Sequence, residues 1–177
     1  MQIEISSKSA IIEGDILIKK ALKFRANRKK AFSNKKIKAK DCKFEGIFYY
    51  PYWIGQVYTS KERMNFNPKE LHFEVVCDAI DETYIVLRNI PKTEKIECAD
   101  NAVLPFSLKL EDFKNRIIED AKVTRINKQF IFGKPFSSTE RCKMIYIPGG
   151  VIQVVDNMTN EREKFYINAY TGEVKKI

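Results

Sequence analysis

The feature that most constrains the fold is a stretch of sequence that occurs twice. Residues 48–58 read FYYPYWIGQVY and hold the only tryptophan and four of the eight tyrosines. A related stretch, IYIPGGVIQVV, occupies residues 145–155. Without any gap, five positions match at a constant offset of 97 residues: Tyr49 with Tyr146, Pro51 with Pro148, Ile54 with Val151, Gln56 with Gln153 and Val57 with Val154. A match of this density indicates an internal repeat, which has to be identified before any fold is assigned.

Both copies of the stretch predict β-strands, because they are rich in aromatic and β-branched residues. Pro51 and Pro148 interrupt them. Proline cannot donate to a β-ladder, so each proline predicts an edge position, a bulge or the start of a strand. The two glycines at 149–150 fit a bulge or bend, and they would equally let a ligand approach the backbone.

A helix is predicted ahead of each copy. Apolar residues at helical spacing predict a first helix at about 16–32, with a cap at Gly14-Asp15, and a second helix that Ser107 can cap. Phe113, Ile117 and Ile118 follow Leu17, Ala21 and Leu22 at an offset of 96. Helix and strand therefore repeat almost together.

The remaining segments complete two similar units. Strands are predicted at 72–78 and 84–87 in the first half and as a hairpin at 165–174 in the second. Residues 61–70 are predicted to be a polar hairpin loop, 92–101 a linker, and 1–10 either a short strand or a flexible lead. The predicted fold class is α+β, with two tandem helix-plus-antiparallel-β-meander units at 1–91 and 102–177.

Positive charge is concentrated in one segment. Between Lys19 and Lys43 there are twelve basic residues and one acid, whereas the rest of the chain has 20 basic and 22 acidic residues. Two interpretations stay open, a solvated helix face and a surface that binds nucleic acid or another polyanion. The candidate polyanion-binding residues of this basic helix, 16–43, are Lys19, Lys20, Lys23, Arg25, Arg28, Lys29, Lys30, Lys35 and Lys36.

The aromatic residues of the first copy offer a second surface. Strand alternation places Tyr50 and Tyr52 on one face and Trp53 on the other. One interpretation is core packing for one face and partial cover of the other face by a helix or the other unit. The alternative is an exposed aromatic surface of Tyr50, Tyr52 and Trp53, on which bases of single-stranded nucleic acid could stack.

No reaction signature is present. His72 is the only histidine and has no nucleophile motif nearby, so it is interpreted as structural or solvent-facing. Four dispersed cysteines predict free or buried thiols, with a disulfide or a metal site less favoured. We therefore expect no enzyme activity, no cofactor, no metal and no small-molecule substrate. Without a signal peptide or a membrane span, the sequence predicts a soluble, cytoplasmic protein.

The C-terminal segment resembles the end of a PepSY domain. Ala169, Thr171, Gly172, Glu173 and Val174 match the family's last hairpin, and Asn168 stands in place of the usual aspartate. In the first unit only Asp78 and Ala79 match, so the second unit is the better match. The resemblance implies small α+β modules without catalytic activity, in proteins that bind or restrain partners, mostly outside the cytoplasm. It implies a non-enzymatic binding or regulatory module whose partner is an unknown protein. The alternative is sequence-independent binding of nucleic acid or another polyanion.

Overall fold

The computed structural model of the chain describes residues 1–6, 14–28, 41–63, 66–88, 92–130, 135–156 and 160–177. In these ranges the helices are α1 (Gly14–Arg28) and α2 (110–129), which alternates α-helical, π-helical and, at its end, 3₁₀ turns. A single 3₁₀ turn also spans Asp100–Ala102. The strands are β1 (Gln2–Ser6), β2 (Cys42–Arg63), β3 (Phe66–Asp78), β4 (Tyr84–Leu87), β5 (Thr93–Glu97), β6 (Phe136–Val155), β7 (Arg162–Asn168) and β8 (Val174–Lys176). The predicted α+β class is confirmed, with strands predominating.

Several predicted boundaries are wrong. The predicted linker 92–101 contains β5, which pairs antiparallel with β1 along its whole length. The predicted loop 61–70 is mostly strand, because β2 and β3 stay paired as far as Lys61 and Lys69. Lys109, not Ser107, occupies the N-cap of α2, and it makes no side-chain capping bond. The predicted end of the first helix, at 29–32, lies outside the described residues.

The chain forms two compact units, and each of them draws on both halves of the sequence. Unit 1 comprises residues 1–7, 51–98 and 105–146, and unit 2 comprises 8–50, 99–104 and 147–177. Their bounds therefore differ from the sequence repeats 1–91 and 102–177. The hydrogen-bonded strand order is β4-β3-β2-β6-β1-β5, and β7 pairs with β6 and β8.

Unit 1 packs α2, from the second half of the chain, on the β2–β3–β4 meander from the first half. Phe113 and Ile118 of α2 are fully buried in a cluster that also contains Phe73 and Val75 of β3. Gly55 lies so close beneath the helix that a Cβ placed there would come within 2.4 Å of the Ile118 side chain. Close contact between strand and helix thus requires glycine at this position.

In unit 2 the two halves of the sequence contribute the opposite elements. Here α1, from the first half, packs on the β6–β7–β8 meander of the second half. Leu17 and Ala21 of α1 are buried with Ile152, Phe165 and Ile167. Each helix thus shares a core with the hairpin of the other half of the sequence.

The last hairpins of the two meanders have the same hydrogen bonds. Asp78 Oδ1 accepts bonds from the backbone N–H groups two and three residues later, both at 2.9 Å. Asn168 Oδ1 accepts the corresponding bonds at 2.8 and 3.1 Å. At the position four residues after each, Glu82 has φ 59° and Gly172 has φ 68°. Asparagine can therefore replace aspartate in this turn, since either side chain supplies the acceptor that the turn needs.

The strands beside these turns are equivalent as well. Asp78 pairs with Tyr52, and Asn168 pairs with Gly149. The Pro51 carbonyl accepts a bond from the residue after Asp78 at 3.2 Å, and the Pro148 carbonyl accepts one from the residue after Asn168 at 3.0 Å. The equivalence predicted at offsets of 97 and 90 holds for each of these bonds.

Candidate functional site

The described part of the basic segment lies on α1 in unit 2. Lys19 and Lys23, one helical turn apart, are exposed, and Lys20 is half-buried. The Lys20 ammonium donates to the carbonyl of Gly172 at 3.5 Å, a long and weak hydrogen bond. Among the described candidates, Lys19 and Lys23 therefore present the most accessible positive charge.

Arg25 of α1 is engaged within its own unit. Its side chain is 8% exposed, and its guanidinium is paired with Glu163 and with Asp156, the latter at 3.2 Å. Lys176 reaches the other oxygen of Glu163 at 2.9 Å. Arg25 therefore stabilises the packing of α1 and is removed from the candidate polyanion-binding set.

The ion pairs of this cluster shift both protonation equilibria toward the charged forms. Burial alone would raise the pKa of Glu163, but hydrogen bonds from Arg25 and Lys176 outweigh it and hold that pKa below its ordinary value. Burial would likewise lower the pKa of Arg25, whereas its bonds to Glu163 and Asp156 raise it. The cluster is thus ionised and internally neutralised near neutral pH.

The side chains of the other predicted basic residues lie outside the part of the chain that the structure describes. Arg28 is the last residue of α1, and its side chain is not described. Lys29, Lys30, Lys35 and Lys36 lie outside the described residues. That the basic residues between 29 and 40 belong to a polyanion-binding surface therefore stays a prediction.

Net charge nevertheless separates the two units. By sequence, unit 2 has 17 Lys and Arg against 9 Asp and Glu, a net charge of +8. Unit 1 has 15 basic and 14 acidic residues, a net charge of +1. Almost the whole excess of positive charge therefore belongs to unit 2.

The predicted exposed aromatic surface is wrong for Tyr50, which is fully buried in unit 2. Its ring packs against Tyr166, with ring centroids 4.7 Å apart, and the Lys175 ammonium lies 4.9 Å from its centroid. Trp53 is half-buried in unit 1, where its Nε1 donates to the Leu108 carbonyl at 2.8 Å. The alternation of side chains along the strand correctly indicated which residues share a face. It did not show that other parts of the protein cover both faces.

Trp53 also stacks on a side chain of the core. Its ring lies 5.9 Å from that of Phe113, at an angle of 15°. Tyr52 is half-buried. Because Tyr50 and Trp53 are already packed, the three residues do not form a platform on which bases could stack.

His72 and the four cysteines, the residues considered for catalytic or metal chemistry, all lie in the described ranges. No group of three His, Cys, Asp or Glu side chains in these ranges is placed to hold a metal ion. His72 is exposed on β3, with its ring beside that of Tyr58. All four cysteines are free thiols, and burial raises the pKa of Cys77 to about 12. No described helix is long and apolar enough to cross a membrane.

The sequence analysis missed the carboxylates that bind Arg25. A signal was present in the repeat, because Glu163 occupies the position of Phe73 at the offset of 90 residues. A charged residue in place of a core phenylalanine requires a buried partner of opposite charge. Comparing the two copies position by position would have indicated that unit 2 contains such a pair.

Comparison with family models, curated proteins and solved structures gave no match to this chain. The resemblance to PepSY domains therefore depends on the turn motif and the internal repeat alone.

Proposed function

We propose that this protein is a non-enzymatic binding or regulatory module, composed of two PepSY-like helix-plus-meander repeats at 1–91 and 102–177 that have exchanged their helices. Its main partner in this proposal is another protein. The observation that supports it best is the equivalence of the turns at Asp78 and Asn168, which gives the short family motif a structural basis in both halves.

A second candidate function is sequence-independent binding of nucleic acid or another polyanion. The net charge of +8 on unit 2 favours it, together with the exposed Lys19 and Lys23 of α1. Binding of this kind depends on contacts to phosphates and not on base stacking. It therefore does not require the aromatic platform.

Fluorescence anisotropy with labelled single-stranded and duplex oligonucleotides, over a series of salt concentrations, tests the second candidate. We expect affinity to fall steeply with salt, and a Lys19→Glu/Lys23→Glu variant to bind more weakly with a salt slope smaller by about two. Lys114→Glu/Lys128→Glu is the matched control, because both lysines are exposed on α2 of unit 1. Absence of binding at low salt, or equal weakening by both variants, would contradict polyanion binding.

Affinity capture tests the protein partner. Immobilised protein is incubated with a nuclease-treated lysate of the source cells, washed at high salt, and the retained proteins are identified by mass spectrometry. A partner held by apolar contacts is expected to resist the salt wash, since salt weakens mainly the attraction between charges. If no protein is retained specifically, or if the retained proteins do not bind back once purified, the proposal of a protein partner is wrong.

A further inference from the structure

Strand β4 forms an edge of the sheet in unit 1, because it pairs with no described strand other than β3. The Asp78 N–H donates to the Thr83 carbonyl at 2.9 Å, so these two residues form a hydrogen-bonded pair. Hydrogen-bonded and non-hydrogen-bonded pairs alternate along an antiparallel ladder. The register continues without a shift through β4. The backbone N–H and C=O groups of Tyr84 and Val86 therefore point away from β3, along the open edge.

The side chains of β4 do not protect this edge. Natural proteins usually protect an open edge with charged residues, above all lysine, because an unprotected edge pairs with other chains. The end strands β5 and β8 follow this rule, since they read TEKIE and VKK. In contrast, β4 reads YIVL and contains no charge. Its composition favours pairing with a further strand.

The conformation of β4 is fixed by contacts on one of its faces. The Tyr84 hydroxyl bonds to Asp120 of α2 and lies 2.9 Å from the hydroxyl of Thr124. Val86 packs against the core cluster of unit 1. Ile85 points to the opposite face and is 57% exposed. The edge thus has a defined conformation before anything binds, which lowers the entropic cost of pairing.

The charges at the two ends of β4 complement each other. Asp81 and Glu82 precede the strand, and Arg88 follows it. The Glu82 side chain is 36% exposed in addition to its ion pair with Arg116, and Arg88 is exposed. When two copies of β4 pair antiparallel, the acidic end of each meets the basic end of the other, whereas parallel pairing places like charges together. The end charges therefore favour a second copy of this strand, in antiparallel orientation.

A two-fold axis at Ile85 uses the whole open edge. It places Ile85 opposite Ile85 of the second copy, and Tyr84 opposite Val86 of the second copy. Both outward-pointing residues of each chain are then paired, which gives roughly four backbone hydrogen bonds between the chains. The two Ile85 residues form a non-hydrogen-bonded pair, in which side chains approach most closely, and Arg88 lies opposite Glu82. Because both copies use the same edge, the assembly closes at two chains.

We propose that β4 is a dimerisation edge, at which two copies of this chain join by antiparallel β4–β4 pairing centred on Ile85. The inference goes beyond the proposed function, since it needs neither a foreign protein partner nor a polyanion. The paired segment is short, so we expect a weak dimer with a dissociation constant of roughly 10–500 µM.

Sedimentation equilibrium of the full chain, up to about 1 mM, tests the dimer. Ile85→Lys places two lysines opposite each other and is expected to raise the dissociation constant roughly tenfold or more. Phe136→Lys is the matched control, because Phe136 is 68% exposed on β6, which β2 and β3 separate from β4. Circular dichroism confirms that each variant is folded. A monomer at every concentration, or an equal loss of affinity in both variants, would overturn the proposal.

Charge reversal tests the antiparallel register. Arg88→Glu and Glu82→Arg each place like charges opposite one another in their own dimer, so each variant alone should dimerise roughly fivefold more weakly. In an equimolar mixture, a dimer of one variant with the other has opposite charges at both ends and should regain the affinity of the unchanged chain. If the mixture associates no more tightly than either variant alone, the register is wrong.

Amide hydrogen exchange, measured by NMR below and above the dissociation constant, locates the contact. The N–H groups of Tyr84 and Val86 should exchange more slowly in the dimer. Those of Ile85 and Leu87, which already point toward β3, should change little. A dimer that protects β5 or β8 and leaves Tyr84 and Val86 unchanged would overturn the proposal.

Discussion

The two units solve the same packing problem with different chemistry. In unit 1, Phe73 of β3 and Ala121 of α2 are buried in one apolar cluster. At the repeat offsets of 90 and 96 residues, unit 2 has Glu163 and Arg25, which form an ion pair. The contact between helix and strand at this position is therefore apolar in unit 1 and ionic in unit 2. The hydrogen bonds of the last hairpin are nevertheless the same in both units.

The two units also differ at a third equivalent position and in the size of the apolar core. Thr59 of unit 1, fully buried and bonded to the Leu71 carbonyl, corresponds to Asp156, the second partner of Arg25. Among the described residues, the cluster of buried residues that forms the core has twelve members in unit 1 and six in unit 2. We infer that unit 2, with the smaller apolar core, depends more on its ion pairs to fix the helix.

The largest effects are expected from truncating one central helix residue in each unit. Phe113→Ala should reduce the free energy of unfolding by about 3–5 kcal/mol, and Leu17→Ala by about 2–5 kcal/mol, because both side chains are buried and leave cavities. Amide hydrogen exchange should accelerate in β3 for Phe113→Ala and in β7 and β8 for Leu17→Ala. Phe106→Ala, at an exposed position, is the control.

These two variants also test the exchange of helices. If each helix packed on the hairpin of its own half, Phe113→Ala would loosen β7 and β8, and Leu17→Ala would loosen β3. That pattern of hydrogen exchange would contradict the composition of the two units.

The second expectation concerns the ionic cluster. Arg25→Ala should reduce stability by about 3 kcal/mol, since it removes the buried cation that pairs with both Glu163 and Asp156 and leaves Glu163 with Lys176. Lys23→Ala, at a neighbouring exposed position, should change stability by about 0.5 kcal/mol or less. Denaturant unfolding measures both values.

A triple variant then sharpens the comparison. Arg25→Ala/Glu163→Phe/Asp156→Thr gives unit 2 the residues that unit 1 has at the equivalent positions. Replacing a buried ionic cluster by packed apolar side chains is often neutral or stabilising, so we expect most of the stability lost in Arg25→Ala to return. A triple variant that is less stable than Arg25→Ala would show that the two sites are not equivalent.

A third and smaller effect is expected at the turns. Gly172→Ala should reduce stability by about 1 kcal/mol, because its φ of 68° is unfavourable for a residue with a Cβ. Glu82→Gly should relieve the same strain at φ 59° and raise the melting temperature slightly, since the ion pair of Glu82 with Arg116 is largely exposed. If both variants shift the melting temperature in the same direction, backbone strain does not explain the difference between the turns.

The smallest effects are expected in the pH dependence of stability, with opposite signs in the two units. The lowered pKa of Glu163 means that its stabilisation is present above the ordinary value of 4.5 and is lost as pH falls through the folded-state pKa. Burial raises the pKa of Glu74, so stability decreases as pH rises from 4.5 through its folded-state pKa.

Urea unfolding from pH 3 to pH 8 separates the two carboxyl groups. Glu163→Gln should lower stability mainly at neutral pH, whereas Glu74→Gln should raise it there and change little in acid. Parallel pH profiles for the two variants would contradict these assignments.

Local sequence patterns predicted the elements well and their assembly poorly. The apolar spacing around Leu17 and Phe113 identified both helices, and the repeat aligned the turns at Asp78 and Asn168 correctly. The linker prediction failed at β5, since its polar residues Thr93, Glu94 and Lys95 contain no signal for pairing with β1. Pairing partners distant in sequence are determined by tertiary packing, which local periodicity does not encode.

The candidate sites depend even more on long-range contacts. Nothing near Arg25 in the sequence indicates that carboxylates at 156 and 163 will neutralise it, so it was grouped with its exposed neighbours. Tyr50 was included in the candidate aromatic surface because alternation gives the face of a strand and not what covers that face.

The exchange of helices has a consequence for how the chain acquires its structure during synthesis. When the first half has left the ribosome, the β2–β3–β4 meander still lacks α2, and α1 still lacks β7 and β8. Both apolar faces must remain uncovered until the second half emerges, and exposed apolar surface of this kind promotes aggregation. The many contacts between residues distant in sequence should also make folding slow. We therefore expect the separate halves to be poorly folded alone and to recover their structure when they are combined.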